Sequence, residues 1–111
     1  MQLFLRKFKL YNKIKTGYFN PSFALLTNLD VSRNQLTSLD LSRNTVLTRL
    51  DIFGNKFSAD AMNALFRTLH GNIIRGADGR EVTKAITTTI PIGVDRSIAE
   101  RKGWRLPWSW Q

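Results

Sequence analysis

Residues 26–57 read LTNLDVSRNQLTSLDLSRNTVLTRLDIFGNKF and contain one phrase three times. The phrase begins at Leu29, Leu39 and Leu50, so its steps are 10 and 11 residues and the full period is 21. Its three versions are LDVSRN, LDLSRN and LDIFGN, and each is preceded by a leucine three positions earlier: Leu26, Leu36 and Leu47. The resulting pattern, L-x-x-L-x-(L/V/I)-x-x-N, predicts units that stack on one another.

The spacing of the apolar residues explains why such units need each other. Apolar residues two positions apart, such as Leu29 and Val31, point to the same side of a short strand. The asparagine bonds backbone groups that the following bend leaves unpaired. One unit cannot bury its apolar edge alone, whereas stacked units share a continuous core. We therefore expect two short extended segments per coil, with Val31 stacked on Ile52 and Leu41 across the coil.

The stretch after the repeats predicts a helix that closes the stack. Ser58 is a suitable N-cap residue, and Asp60 lies in the first turn, where the helix dipole favours an anion. The apolar residues recur at helical spacing and would cover the end of the last coil; they are Met62, Leu65, Phe66 and Leu69. With Gly71 as a stop signal, the predicted helix spans residues 59–70.

The rest of the chain predicts a turn, a strand and a second helix. Residues 76–79 (GADG) form the turn, and residues 81–90, which are rich in Val, Ile and Thr, form the strand. Asp95 caps a short helix through residue 101 or 102, and Gly103 ends it. Trp104 is expected to fold back onto the core.

The amino-terminal segment carries most of the excess positive charge. The chain has a formal charge of +9, and residues 1–25 hold five basic residues and no acidic one. As a helix, the segment would align Phe4, Phe8 and Tyr11; as a strand, Phe4 and Phe8 would share a side with Leu10. The helix fits slightly better, and three roles stay open for residues 1–25: a cap on the first repeat, a basic helix at an anionic surface, or a fragment boundary. Basic residues interrupt every apolar run, so the segment is neither a signal peptide nor a membrane span.

Composition excludes several classes of site. The chain has 111 residues, no cysteine and one histidine, so thiolate or histidine-rich metal sites and disulfides cannot form. The sequence contains no phosphate-binding glycine motif, zincin motif or nucleophile elbow. We therefore expect no catalytic residues, no cofactor and no bound metal. Asp30 and Asp51, 21 positions apart, should be lateral neighbours on a solvated face, with Arg49 offsetting their repulsion.

The repeats and the segments after them resemble the leucine-rich repeats of secreted and surface proteins of Bacteroides-type bacteria. Residues 57–70 (FSADAMNALFRTLH) resemble the closing helix of those arrays, and residues 95–104 (DRSIAERKGW) resemble their terminal segment. The resemblance implies an α/β fold: a short leucine-rich repeat solenoid of about one and a half coils with a carboxy-terminal helix-strand-helix cap. The implied segments are 1–25, the basic amino-terminal part; 26–57, the repeats; 58–104, the cap; and 105–111, a tail.

The same resemblance implies a monomeric, non-catalytic scaffold that recognises a protein or glycan at a bacterial surface or outside the cell. Aromatic and arginine side chains dominate interaction hot spots, so the candidate partner-binding residues are Arg33, Arg43, Arg49 and Phe53. Two alternatives stay open. Residues 1–15 could bind nucleic acid or an anionic membrane, or the chain could be the carboxy-terminal end of a longer array.

Overall fold

The structure is a computed structural model, and it describes residues 6–10 and 17–107. It is an α/β fold with parallel sheets and two helices. The strands are β1 (Lys7–Lys9), β2 (Tyr18–Phe19), β3 (Asn28–Asp30), β4 (Ser38–Leu39), β5 (Arg49–Asp51), β6 (Lys84–Thr87) and β7 (Trp104–Arg105). The helices are α1 (Ala59–Thr68) and α2 (Ser97–Glu100).

Two parallel sheets carry the repeated phrases. The larger has the strand order β1-β3-β5-β6-β7, and the smaller pairs β2 with β4. In the larger sheet, Leu29 is the register partner of Leu50, so the 21-residue sequence period equals one step across the sheet. The same backbone bond recurs at each step: Val31 N donates to Asp51 O at 3.0 Å, and Ile52 N donates to Thr87 O at 3.0 Å.

The interior is built from the leucines that define the repeat. The three phrase leucines and the three that precede them are all buried, as the alternation predicts. Val31, Ile52 and Leu41 are buried with them, which confirms the predicted core positions. The remaining buried apolar residues come from α1 and from the segments after it: Met62, Leu65, Phe66, Leu69, Ile86, Ile90, Ala99 and Trp104.

The asparagines tie each unit to the one before it. Asn34 Nδ2 donates to Leu10 O at 2.7 Å, and Asn55 Nδ2 donates to Val31 O at 2.9 Å, a step of 24 residues in both cases. Asn44 Nδ2 donates to Phe23 O at 3.1 Å on the side of the smaller sheet. These amides bond backbone carbonyls that no strand partner reaches, which explains why the phrase ends in asparagine.

Helix α1 begins as the sequence predicts but ends earlier. Ser58 is the N-cap, and its hydroxyl accepts a hydrogen bond from Ala61 N at 3.1 Å. The helix ends at Thr68 with Leu69 in an extended conformation, so the predicted end at residue 70 and the glycine stop at Gly71 are wrong. The Lys102 ammonium takes the role of the stop signal, donating to the carbonyls of Phe66, Arg67 and Leu69 at 3.1, 2.8 and 2.8 Å.

The segments beyond α1 extend the larger sheet. Strand β6 covers residues 84–87, four of the ten residues predicted as a strand. Helix α2 has Arg96 as its N-cap residue, without a side-chain cap bond, and ends at Glu100, so the predicted cap at Asp95 is wrong and the helix ends earlier than predicted. Asp95 Oδ1 accepts from Ser97 N at 3.0 Å in the turn before the helix, and Gly103 has φ 87° in the turn after it. Trp104 is 2% exposed, as predicted, and its strand β7 pairs with β6.

The predicted amino-terminal helix is wrong for residues 7–9, which form β1. Lys7, Phe8 and Lys9 pair with Asn28, Leu29 and Asp30, one period further along the chain. Phe8 and Leu10 pack against the core in place of the repeat's leucine and valine. Phe4, Tyr11, Trp108 and Trp110 lie outside the described residues.

Candidate functional site

The outer face of the five-stranded sheet is the most regular surface of the described chain. In β1, β3 and β5 the central apolar residue is flanked by outward polar or charged residues, whereas β6 buries Lys84 and Ile86 and turns Ala85 and Thr87 outward. Two rows of outward residues cross the sheet, each set by the strand register. One row consists of Lys7, Asn28, Arg49, Ala85 and Arg105; the other consists of Lys9, Asp30, Asp51 and Thr87.

An open groove of about 390 Å³ runs over this face, and both rows contribute to its lining. The groove reaches from β1 across β3 and β5 to β6. Lys7, Lys9 and Arg49 are exposed, whereas Asp30 and Asp51 are half-buried between them. The lining of the groove therefore carries mixed charge with an excess of cations.

The aspartates of the repeat form turns at the strand ends. Asp30 Oδ1 accepts from Ser32 N at 3.1 Å, and Asp51 Oδ1 accepts from Phe53 N at 3.1 Å. In the smaller sheet, Asp40 Oδ1 accepts from Ser42 N at 2.9 Å. A side-chain oxygen that bonds the backbone two residues on is the usual reason for Asp at such bends.

The electrostatic environments of these aspartates differ. Burial raises the pKa of Asp51, and the neighbouring carboxylate of Asp30 adds to the rise. The cations whose fields oppose that rise at Asp51 are Arg33 and Lys9. The hydrogen bonds from Ser42 lower the pKa of Asp40. Negative charge is therefore crowded at the Asp30–Asp51 pair.

Arg33 and Phe53 lie side by side at the end of β3 and β5. Arg33 N donates to Phe53 O at 2.8 Å, and the Phe53 ring is 43% exposed. Arg33 has φ 58°, and Gly54, the equivalent residue of the next unit, has φ 76°. Both residues adopt the left-handed backbone conformation, which glycine adopts without strain and arginine does not. The turns place Arg33 and Phe53 beyond the carboxyl ends of β3 and β5, and neither residue lines the groove.

The structure separates the four candidate residues into two groups. Arg49 lines the groove, and Arg33 and Phe53 follow the ends of the neighbouring strands β3 and β5. Arg43 follows β4 of the smaller sheet and is exposed there, so it does not belong to the five-stranded face. Three of the four candidates thus lie on or next to strands of the larger sheet.

Sequence reasoning missed Lys7, Lys9 and Arg105 as residues of this face. A signal for the first two was present, since Leu5, Phe8 and Leu10 repeat the spacing of Leu26, Leu29 and Val31 exactly one period earlier. That unit was not recognised, because Phe8 replaces the leucine of the phrase and Lys13 replaces its final asparagine. No comparable signal marks Arg105, because β7 joins the sheet through the packing of Trp104.

His70 lies in a hydrogen-bonded cluster that joins the repeats to the closing segment. Its Nε2 lies 2.7 Å from Leu47 O, and its Nδ1 accepts from Asn72 N at 3.0 Å. Trp104 Nε1 donates to His70 O at 3.0 Å, and the two rings meet edge to face. Burial lowers the pKa of His70, which favours the neutral ring. Because Nδ1 accepts from Asn72 N, the proton of the neutral ring lies on Nε2, which donates to Leu47 O. The ring therefore links the repeats to the closing segment.

In residues 6–10 and 17–107, no three His, Cys, Asp or Glu side chains come close enough to hold a metal ion. Over the same residues, neither helix combines the length and apolar character that crossing a bilayer requires. Comparison of this chain with known protein families, with curated proteins and with solved structures finds no match.

Proposed function

We propose that this chain is a short leucine-rich repeat solenoid, closed at its carboxyl end by residues 58–104. Three features support the proposal: one step across the sheet per 21 residues, an asparagine bond from each unit to the preceding one, and a helix whose apolar stripe meets the last coil. Phe8 and Leu10 extend the same register by a further unit. The resemblance to bacterial surface proteins adds an extracellular or cell-surface location to the proposal.

We further propose that the five-stranded face recognises a protein or a glycan without catalysis. The observation that carries the proposal is the groove of about 390 Å³, which lies over rigid, register-locked strands and is lined by exposed Lys and Arg. The paired strands fix the spacing of the backbone positions from which these side chains project, so the charges need no backbone rearrangement to meet a ligand. Arg49 would contribute the central contact, with Phe53 and Arg33 beyond the ends of β5 and β3.

A peptide-display selection and a glycan array test this proposal with one pair of variants. Ligands are selected on the wild-type protein and then compared on Arg49→Ala/Phe53→Ala and on Arg43→Ala, whose exposed arginine lies beyond the smaller sheet. We expect the double variant to lose binding about ten-fold or more while Arg43→Ala binds as the wild type does. Both proteins should keep the wild-type melting temperature, because the three side chains are exposed. Ligands that bind the double variant unchanged would place recognition elsewhere.

Binding of an anionic membrane or nucleic acid through residues 1–15 is the alternative. The described part of that segment, residues 6–10, contains the strand β1, so Lys7 and Lys9 project from a sheet and not from an amphipathic helix. The alternative predicts binding that falls steeply with salt and is lost on deletion of residues 1–15. Vesicles of anionic lipid and a DNA duplex, each titrated at two salt concentrations, give the comparison.

A further inference from the structure

The first row of the five-stranded face carries a cation on every second strand. Register partners connect Lys7 to Asn28, Asn28 to Arg49, Arg49 to Ala85 and Ala85 to Arg105. Lys7, Arg49 and Arg105 are therefore separated by one uncharged residue each. All three are exposed, and within the described part of the chain none of them forms an ion pair.

The spacing of these charges follows from sheet geometry. Neighbouring strands lie about 4.8 Å apart, so cations on alternate strands project from points about 10 Å apart. The residues between the cations are Asn28 and Ala85, which carry no charge and are less exposed than the cations. A ligand can therefore lie flat across the row. The row thus presents three evenly spaced positive charges along a line perpendicular to the strands.

The second row has the opposite character at its centre. Asp30 and Asp51 are register partners, and Lys9 and Thr87 flank them. A ligand with negative charge on every side would face these carboxylates as well as the cations. The face therefore favours a ligand whose anionic groups lie along one edge only, and it disfavours a uniformly charged polyanion.

We propose that the face binds an acidic peptide segment in the polyproline II conformation, with carboxylates at every third residue. This conformation has three residues per turn and a rise of about 3.1 Å per residue, so residues i, i+3 and i+6 lie on one side about 9.3 Å apart. That repeat matches the distance between the cations. A peptide β-strand does not match, because its residue i+3 points to the opposite face. The inference rests on the proposed function of this face and names its ligand.

Three synthetic peptides of equal length test the match between the two spacings. The first is acetyl-(Glu-Pro-Pro)₄-amide; the second has the same composition with its four glutamates adjacent; the third replaces each glutamate of the first with glutamine. Binding is followed by amide chemical-shift changes in the ¹⁵N spectrum of the full chain. We expect the first peptide to bind about five-fold or more tightly than the second, and the third to bind weakest. The shifts should map to β1, β3, β5, β6 and β7.

Single variants then assign the contacts. Lys7→Gln, Arg49→Gln and Arg105→Gln should each weaken the first peptide about three-fold, a typical effect for an exposed charge pair. Arg43→Gln, the matched arginine beyond the smaller sheet, should leave the affinity unchanged. Unlike the wild type, Arg49→Gln should bind the spaced and the clustered peptide with similar affinity.

The other outcomes separate this inference from the function on which it rests. Equal affinity of the spaced and clustered peptides overturns it, as does a polyuronate that binds the same face more tightly. If the display selection yields ligands that depend on Arg49 but carry no acidic triplet pattern, the recognition face stands and the acidic peptide does not. If no ligand of any composition depends on Arg49 and Phe53, the proposed function itself fails.

Discussion

Replacing Asn55 by alanine perturbs the bond network that joins successive units. Its Nδ2 donates to Val31 O and to Ile52 O, both at 2.9 Å, and its Oδ1 accepts from Leu36 N at 3.0 Å. A protein hydrogen bond contributes about 1 kcal/mol net. Leu36 is fully buried, so its N–H would be left without an acceptor, and an unsatisfied buried donor costs about 1–3 kcal/mol. We expect Asn55→Ala to lower the free energy of unfolding by about 3 kcal/mol.

Urea denaturation followed by circular dichroism measures this loss. The midpoint should fall while the slope with denaturant stays constant, which is the signature of a pure stability change. Asn55→Asp keeps the acceptor for Leu36 N but turns an oxygen towards the two carbonyls, so it should cost at least as much as alanine. Gln35→Ala, at an exposed position, is the matched control and should change stability by less than about 0.5 kcal/mol. A loss below about 1 kcal/mol for Asn55→Ala would refute the role of the asparagines as links between units.

Three further predictions concern backbone strain, surface charge and pH. Gly54→Ala should lower the free energy of unfolding by about 1–2 kcal/mol, because φ is 76° at this position and the new Cβ would lie 3.3 Å from Arg33 N. Arg33→Asn should raise it slightly, because asparagine tolerates the positive φ better than arginine does. Denaturation midpoints measure both changes. At pH 7, Asp51→Asn should raise the free energy of unfolding, because the surroundings of Asp51 disfavour its charged form, whereas Asp40→Asn should lower it. A change of the same sign for both variants would contradict the opposite pKa shifts. Since the folded-state pKa of His70 is lowered, the stability that the neutral ring contributes is complete above the ordinary value of 6.5 and is lost as the pH falls below it. The melting temperatures of the wild type and of His70→Gln should therefore converge between pH 7.5 and 5.5.

The sequence predicts the parts of the fold that depend on local pattern. The buried leucines, the strand at each phrase and the start of α1 all follow from spacing and capping. The end of α1 does not, because it is set by the Lys102 ammonium, more than thirty residues away. The role of His70 is likewise decided by Leu47 O and by Trp104, contacts that only the closed fold creates.

The candidate site, like the fold, could be predicted from the sequence only in part. Arg49 and Phe53 were identified from residue type and from their outward positions in the repeat. Lys7 was not, because Phe8 replaces the leucine of the phrase and Lys13 replaces its final asparagine, and because the spacing of the aromatic residues favours a helix. Tertiary pairing with β3 overrides that local preference. The row of cations exists only because strands far apart in sequence become neighbours.

Scalar couplings across hydrogen bonds test the stacking of the 21-residue units most directly. Such couplings connect the amide nitrogen of the donor to the carbonyl carbon of the acceptor and can be recorded on a 12.7 kDa protein. The account predicts couplings from Val31 N to the carbonyl of Asp51, from Ile52 N to that of Thr87 and from Thr48 N to that of Thr27. Couplings from these amides to carbonyls four residues earlier, or to partners in another register, would contradict it.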